Sequence, residues 1–260
     1  MENTIRVKVH QPGGTIILER PDKRNALSRL MLLQLQGALE DLHQERNVRA
    51  VVLTGAGDAF SAGADIAEMQ ATYGTDDALE QWARDSMQYR KLLQYMLRFP
   101  KPIIAAVNGP AVGTGAGLVL ASDIVLATSE ARFGFPEPRR GVVAGLSAPL
   151  LAFRIGGGKA AHLLLTSRLI SANEALDAGI YHRIVPQDLI WASAHAEAQQ
   201  CAQSSAEALQ LTKKMLNETI GETLSTHLST GAAISATSRT TEAAEEGVNA
   251  FMQKREPNWP

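Results

Sequence analysis

The uncharged run Ile103-Ile104-Ala105-Ala106-Val107 leads, through Asn108 to Val112, into the turn Gly113-Thr114-Gly115-Ala116-Gly117, and helix-like apolar positions follow from Leu118. A short charge-free run of this kind suits a buried strand. Glycines at such a turn let the backbone approach a ligand closely, and the unpaired N–H groups of a helix start attract negative charge. Phe60-Ser61-Ala62-Gly63-Ala64-Asp65-Ile66 repeats the arrangement, lying between a strand-like run at 48–54 and a helical stretch. Strand, glycine turn and helix, twice in one chain, require crossover connections and a mixed α/β architecture. Twenty residues past the second turn, Glu137 stands in the Pro-flanked segment Phe133-Gly134-Phe135-Pro136-Glu137. A carboxylate against apolar walls has its pKa raised and serves as a proton carrier. An anion-stabilising turn beside a poised carboxylate is a workable enolate site.

The rest of the chain is consistent with one sizeable domain. Its 260 residues are enough to bury a substantial core, and 45% hydrophobic with 20% charged residues is ordinary globular usage. A net charge of −2 provides no global basic field for nucleic acid or acidic membranes, so an anionic ligand must be held by a local cluster. Cys201 is the lone cysteine, which rules out an internal disulfide and fits a reducing, cytoplasmic setting. Residues 1–10 carry no signal or transit pattern, and Asp123 breaks the longest apolar run well short of a membrane span.

In order, residues 5–9 and 15–18 read as two strands around a Gly13-Gly14 turn. Ser28 is a plausible cap for a helix whose apolar positions are Leu30, Leu33, Leu35, Leu39 and Leu42. A long helix is expected over 79–99, and helices at 146–155 and 160–165. Ser171-Ala172-Asn173-Glu174 reads as a capping box, with Gly179 as a helix stop. Beyond Pro186 the pattern is helical and Ala-rich to the end. This shift divides the chain into a core region, 1–195, carrying the active site, and a C-terminal helical region, 196–260.

Four segments carry a resemblance in collinear order: the motif at 60–66, Asn108 to Gly115, Phe133 to Glu137, and Ala250-Phe251-Met252-Gln253-Lys254-Arg255. Together they resemble the enoyl-CoA hydratase/isomerase (crotonase) superfamily, over nearly the whole chain. The resemblance implies an α/β fold built as a spiral of ββα units with a C-terminal helical trimerisation region. It implies a homotrimer or a dimer of trimers and acyl-CoA thioester substrates, with coenzyme A entering as part of the substrate and no separate cofactor. It also places the oxyanion hole at the backbone N–H groups of Ala64 and Thr114, with Glu137 as acid/base. Coenzyme A contacts fall on Arg24, Ala26, Ala62, Ala64, Asp65, Ile66, Phe251 and Lys254, the last two from this subunit or a neighbour. The family carries Gly where this chain has Thr114, and a further catalytic glutamate where it has Gly117. A single carboxylate suits a proton shuttle, as in double-bond isomerisation, although some one-glutamate relatives hydrate.

Other readings of the same residues are weaker. The glycine spacing at 113–117 is not the dinucleotide G-x-G-x-x-G fingerprint. The six histidines are scattered without ligand spacing, so no metal is expected, and no G-x-S-x-G elbow is present. Tyr73, Trp82, Met87 and Tyr89 lie in the segment that, by the resemblance, shapes the acyl pocket, but aromatic and Met residues at such spacing read as core. Asp65, Glu68, Tyr73, Asp76 and Arg140 are the polar candidates to face Glu137, a second carboxylate there favouring hydration and an apolar wall isomerisation. The expected activity is therefore enoyl-CoA hydration or isomerisation, with a hydratase-lyase, a hydrolase, or a non-catalytic acyl-CoA-binding scaffold as alternatives.

Overall fold

The computed structural model describes residues 3–259; residues 1, 2 and 260, the outermost positions of the two regions read from the sequence, lie outside them. A hairpin joins β1 (Ile5–His10) to β2 (Gly13–Leu18), with Ile5 opposite Leu18 and His10 opposite Gly13. The turn is at Gln11-Pro12, where the peptide bond is cis, not at Gly13-Gly14 as the sequence suggested. Gly14 lies inside β2 for a packing reason: a Cβ there would stand 2.7 Å from Leu42 Cδ2.

Ser28 caps α1 (Arg29–Gln44) by accepting a hydrogen bond from Met31 N. Its buried stripe is Met31, Leu32, Leu35, Ala38, Leu39 and Leu42, which leaves the expected Leu33 off the stripe and 60% exposed. Then come β3 (Ala50–Gly55), α2 (Ile66–Thr72), α3 (Ala78–Arg98), β4 (Ile103–Val107), β5 (Ala111–Val112) and α4 (Thr114–Leu120). β6 (Ile124–Ala127), β7 (Arg132–Gly134), α5 (Ser147–Ile155), α6 (Gly157–Thr166), β8 (Leu169–Ser171), α7 (Ala172–Asp177) and β9 (Arg183–Ile184) follow. Both halves of the capping box at Ser171 and Glu174 form. The chain ends with α8 (Ile190–Ala202), α9 (Ala206–Lys214), α10 (Leu224–Ser238) and α11 (Glu242–Met252).

The strands build a six-stranded sheet, β1-β2-β3-β4-β6-β9, parallel except for the first hairpin, and a three-stranded sheet, β5-β7-β8. Each turn of the chain spends one strand in the large sheet, then crosses to the second layer before entering a helix. β4, β5 and α4 form one such unit. β3 is followed by a bridge of Ser61 to Ala111 and then α2; β2 is followed by a bridge of Leu27 to Ala64 and then α1. Stacking these units gives the expected spiral of ββα repeats.

All five residues of β4 are buried, because both faces of the large sheet are covered. Ile103, Ala105 and Val107 join the main core with α1 and α3, while Ile104 and Ala106 pack with Ala194 and Ala198 of α8. The division read at 195/196 therefore falls inside α8, whose 190, 194, 198 stripe belongs to the sheet. The later helices pack onto this same chain: α10 onto α3 and α5, and α11 onto α2 and the 3-10 turn Glu137–Arg140. The buried Lys213 donates to Asp123 Oδ2 at 2.6 Å and ties α9 to the sheet.

The loop that carries the first functional segment hangs on Asn25. This residue is fully buried at φ 54°, a conformation Asn tolerates better than most side chains. Its Nδ2 donates to Ala56 O and Ala59 O, both at 2.8 Å, and its Oδ1 accepts from Arg20 N at 2.9 Å. Asn25→Ala removes all three bonds and leaves Ala59 O with only the 3.3 Å bond from Asn108 Nδ2, so a stability loss of about 3 kcal/mol is expected in urea unfolding. A loss below about 1 kcal/mol would show that the loops hold together without it.

Candidate active site

The two glycine turns are laced edge to edge. Phe60 N and Ser61 N both donate to Pro110 O at 3.1 Å, and Val112 N donates to Ser61 O at 2.9 Å. Gly63 turns at φ 94°, and a Cβ there would lie 2.8 Å from Val112 O and 3.5 Å from Thr114 N. Only glycine allows so close an approach in that conformation. The bridge between Leu27 and Ala64 uses Gly63 O and Asp65 N, so the amide of Ala64 faces the other way. Thr114 is the first residue of α4, where N–H groups have no intrahelical partner. Neither amide donates to a described acceptor, and both residues line one cleft. The side-chain hydroxyl of Thr114 is buried without a partner.

The small sheet brings Glu137 to this point. Ala111 pairs with Phe133 and Val112 with Gly134, and Gly113 N donates to Gly134 O at 2.9 Å. The chain then tightens into the 3-10 turn Glu137–Arg140, which aims the carboxylate back at the glycine turn. Glu137 Oε1 lies only 2.8 Å from where a Cβ on Gly113 would stand, and Gly113 itself adopts φ 57°. Oε2 is shielded from solvent without a hydrogen-bond partner. Burial raises the carboxyl pKa to about 7, partly opposed by its own backbone hydrogen bond and by the charge of Arg140. The Arg140 guanidinium in turn sits 4.3 Å above the ring of Phe251.

Asp65 and Glu68, two carboxylates of the expected set, line the same cleft as Glu137 but are engaged by other groups. Asp65 caps α2 and pairs with Arg20 at 2.9 Å, and Glu68 accepts from Arg29 N at 2.9 Å. Of those candidates, Arg140 is the one whose charge reaches it. The other neighbour is Tyr89, a residue expected to be core. Its side chain is buried on α3, yet it lines the cleft beside Glu137, and its hydroxyl donates to Thr114 O at 2.5 Å. That hydroxyl takes the space a side chain at Gly117 would need: a Cβ there would run into Tyr89 Oη and lie 2.7 Å from Ser147 Oγ. The glycine at 117 and the tyrosine at 89 are one packing solution. Helical spacing from Trp82 through Ser86 to Tyr89 was the available signal, and periodicity cannot separate a cleft wall from a core wall.

Ala62, Ala64, Asp65, Ile66, Thr114 and Glu137 come together around the cleft. Arg24, Ala26, Phe251 and Lys254 do not line it. Arg24 is exposed at φ 48°, and its carbonyl accepts from Ala62 N at 2.9 Å. Ala26 O accepts from Arg20 Nη1 at 2.7 Å. Phe251 reaches the site through Arg140, and Lys254 is exposed just beyond α11.

The family model described as enoyl-CoA hydratase/isomerase matches residues 14–260. A Thermus thermophilus protein provisionally named enoyl-CoA hydratase is 41% identical over 246 residues, covering 95% of this chain and 96% of that one. The 2,3-dehydroadipyl-CoA hydratase of Escherichia coli is 34% identical over 249 residues, covering 94% and 93%. Among solved structures, an enoyl-CoA hydratase/isomerase from Xanthobacter autotrophicus Py2 superposes with a TM-score of 0.87 at 29% identity, covering 97% and 93%.

Because Tyr89 fills the space above Gly117, Gly117→Glu alone is expected to overpack α4 and cost about 3 kcal/mol or more of stability. Combining it with Tyr89→Ala should recover much of that loss in thermal unfolding. Additive losses in the double variant would show that the two positions do not share that space.

Proposed function

Since the chain belongs to the enoyl-CoA hydratase/isomerase family, we propose that it hydrates an α,β-unsaturated acyl-CoA through a thioester enolate. The observation that carries this reading is the meeting of two unpaired amides, from Ala64 and Thr114, with one buried carboxylate, Glu137. The thioester oxygen accepts from both amides. Ionised Glu137 takes a proton from water as the oxygen bonds to the β-carbon, and the double-bond electrons move onto the thioester oxygen. The enolate then collapses, and Glu137 returns its proton to the α-carbon. Water is consumed, the carboxylate is regenerated, and one glutamate serves both steps. Preorganised amide donors in a dry site contribute roughly 3 kcal/mol each to such an intermediate.

Because Asp65 and Glu68 on the cleft wall are held by Arg20 and Arg29, a second reading is double-bond isomerisation, in which Glu137 takes its proton from carbon instead of water. Turnover in 18O-labelled water separates the two, since only hydration places the label in the product. Coenzyme A in this reading runs along Ala62 and Ile66. Its phosphates are met by Arg24 and Lys254, with Phe251 beside them and no further cofactor. The working assembly is a cytoplasmic homotrimer or dimer of trimers.

Glu137→Gln should lower kcat by about a thousandfold and leave the affinity for coenzyme A within about twofold of the parent. A variant that retained turnover would remove Glu137 from the mechanism. The raised pKa sets the pH dependence. Below about 7 the carboxyl holds its proton and cannot accept another, so kcat/KM should rise with pH through about 7 and then level off. A profile that falls across that range would mean that the protonated acid starts the reaction.

A further inference from the structure

Away from Glu137, the cleft wall carries donors with nothing to donate to. Arg239, at the C-terminal end of α10, and Ser86 of α3 both line the cleft. Arg239 Nε is shielded from solvent without a partner, and its guanidinium makes no hydrogen bond or ion pair among the described residues. Ser86 Oγ is likewise buried and unpaired. Nearby, the Tyr73 and Trp82 rings meet edge to face at 4.9 Å, and Tyr73 Oη and Trp82 Nε1 are also buried without partners. Trp82 stands one helical turn before Ser86, and Tyr73 lies within electrostatic reach of Arg239.

The carboxylate within reach of Arg239 is already engaged. Asp85 lies within its reach, but Arg29 takes both Asp85 oxygens, at 2.7 Å and 2.8 Å, and Gln81 Nε2 adds a third bond at 2.7 Å. Glu68 is held by Arg29 N, and Arg140 adds a further cation to the wall. A guanidinium Nε buried without a partner is costly, and so is the orphaned hydroxyl of Ser86 beside it on the cleft wall. Every one of these groups can donate, so the missing partner is an acceptor, and for a guanidinium the matching acceptor is a carboxylate.

We propose that this end of the cleft is an anion subsite in which Arg239, with Ser86, receives a carboxylate at the far end of the acyl chain. The substrate class is then the coenzyme A thioesters of dicarboxylic acids. The inference rests on the acyl-CoA reading above, so it is tested by binding, with no turnover required. Isothermal titration of the full chain would compare succinyl-, glutaryl- and adipoyl-CoA with butyryl-, pentanoyl- and hexanoyl-CoA, each pair matched in length. At least one diacid thioester should bind about thirtyfold or more tighter than its monoacid match. Arg239→Met should bring that ratio close to unity, and Arg239→Lys should keep part of it, because the charge remains while the fork geometry is lost. Should Arg239→Met fail to fold, Ser86→Ala is the second variant, with a smaller loss of preference confined to the diacid. A parent protein that binds both series alike, or a preference that survives Arg239→Met, overturns the subsite. A preference for diacids in a protein that never hydrates would leave the subsite standing and overturn the proposed reaction instead.

Discussion

The Glu137 carboxylate rests on the bare α-carbon of Gly113, and most of the site's geometry follows from that contact. The approach is possible because residue 113 has no Cβ and because its N–H is bonded to Gly134 O, which fixes β5 against β7. The same pairing sets the 3-10 turn Glu137–Arg140 against the start of α4. Burial at this position lifts the carboxyl pKa to about 7, into the range where proton transfer in either direction is cheap. Fold and chemistry meet in one short ladder of two residue pairs.

Tyr89 shows how a neighbouring position can change a site without touching its motif. Its hydroxyl anchors Thr114 O, on the same residue whose amide faces the cleft, and its ring closes the volume above Gly117. With a tyrosine there, a glutamate at 117 has nowhere to go. The absence of a carboxylate at 117 is therefore tied to packing between α3 and α4 as much as to the residue at 117 itself.

The C-terminal helices are part of the site in this chain. α11 packs on α2 and on the turn that holds Glu137, and its Phe251 supports Arg140. The end of α10, which packs on α3, brings Arg239 to the cleft wall. Residues more than ninety positions apart in sequence thus share one wall. α8 belongs with the large sheet, through Ile190, Ala194 and Ala198.

Residues 103–107, 113–117 and 133–137 revealed the buried strand, the glycine turn and the poised glutamate because each signal is local: a charge-free run, consecutive glycines, a carboxylate between prolines. Ser28 and the Ser171–Glu174 box were legible for the same reason, since caps are read over three or four residues. Gly14, Tyr89 and Arg239 were not legible. A glycine that makes room for Leu42, a tyrosine that closes a cleft instead of a core, and an arginine left without a counter-ion are defined by partners distant in sequence. The sequence alone thus determined the α/β architecture, the ancestry and the position of the candidate carboxylate, since these depend on neighbours along the chain. The tertiary structure alone decided what surrounds that carboxylate, because burial and close approach are properties of chain segments brought together by packing.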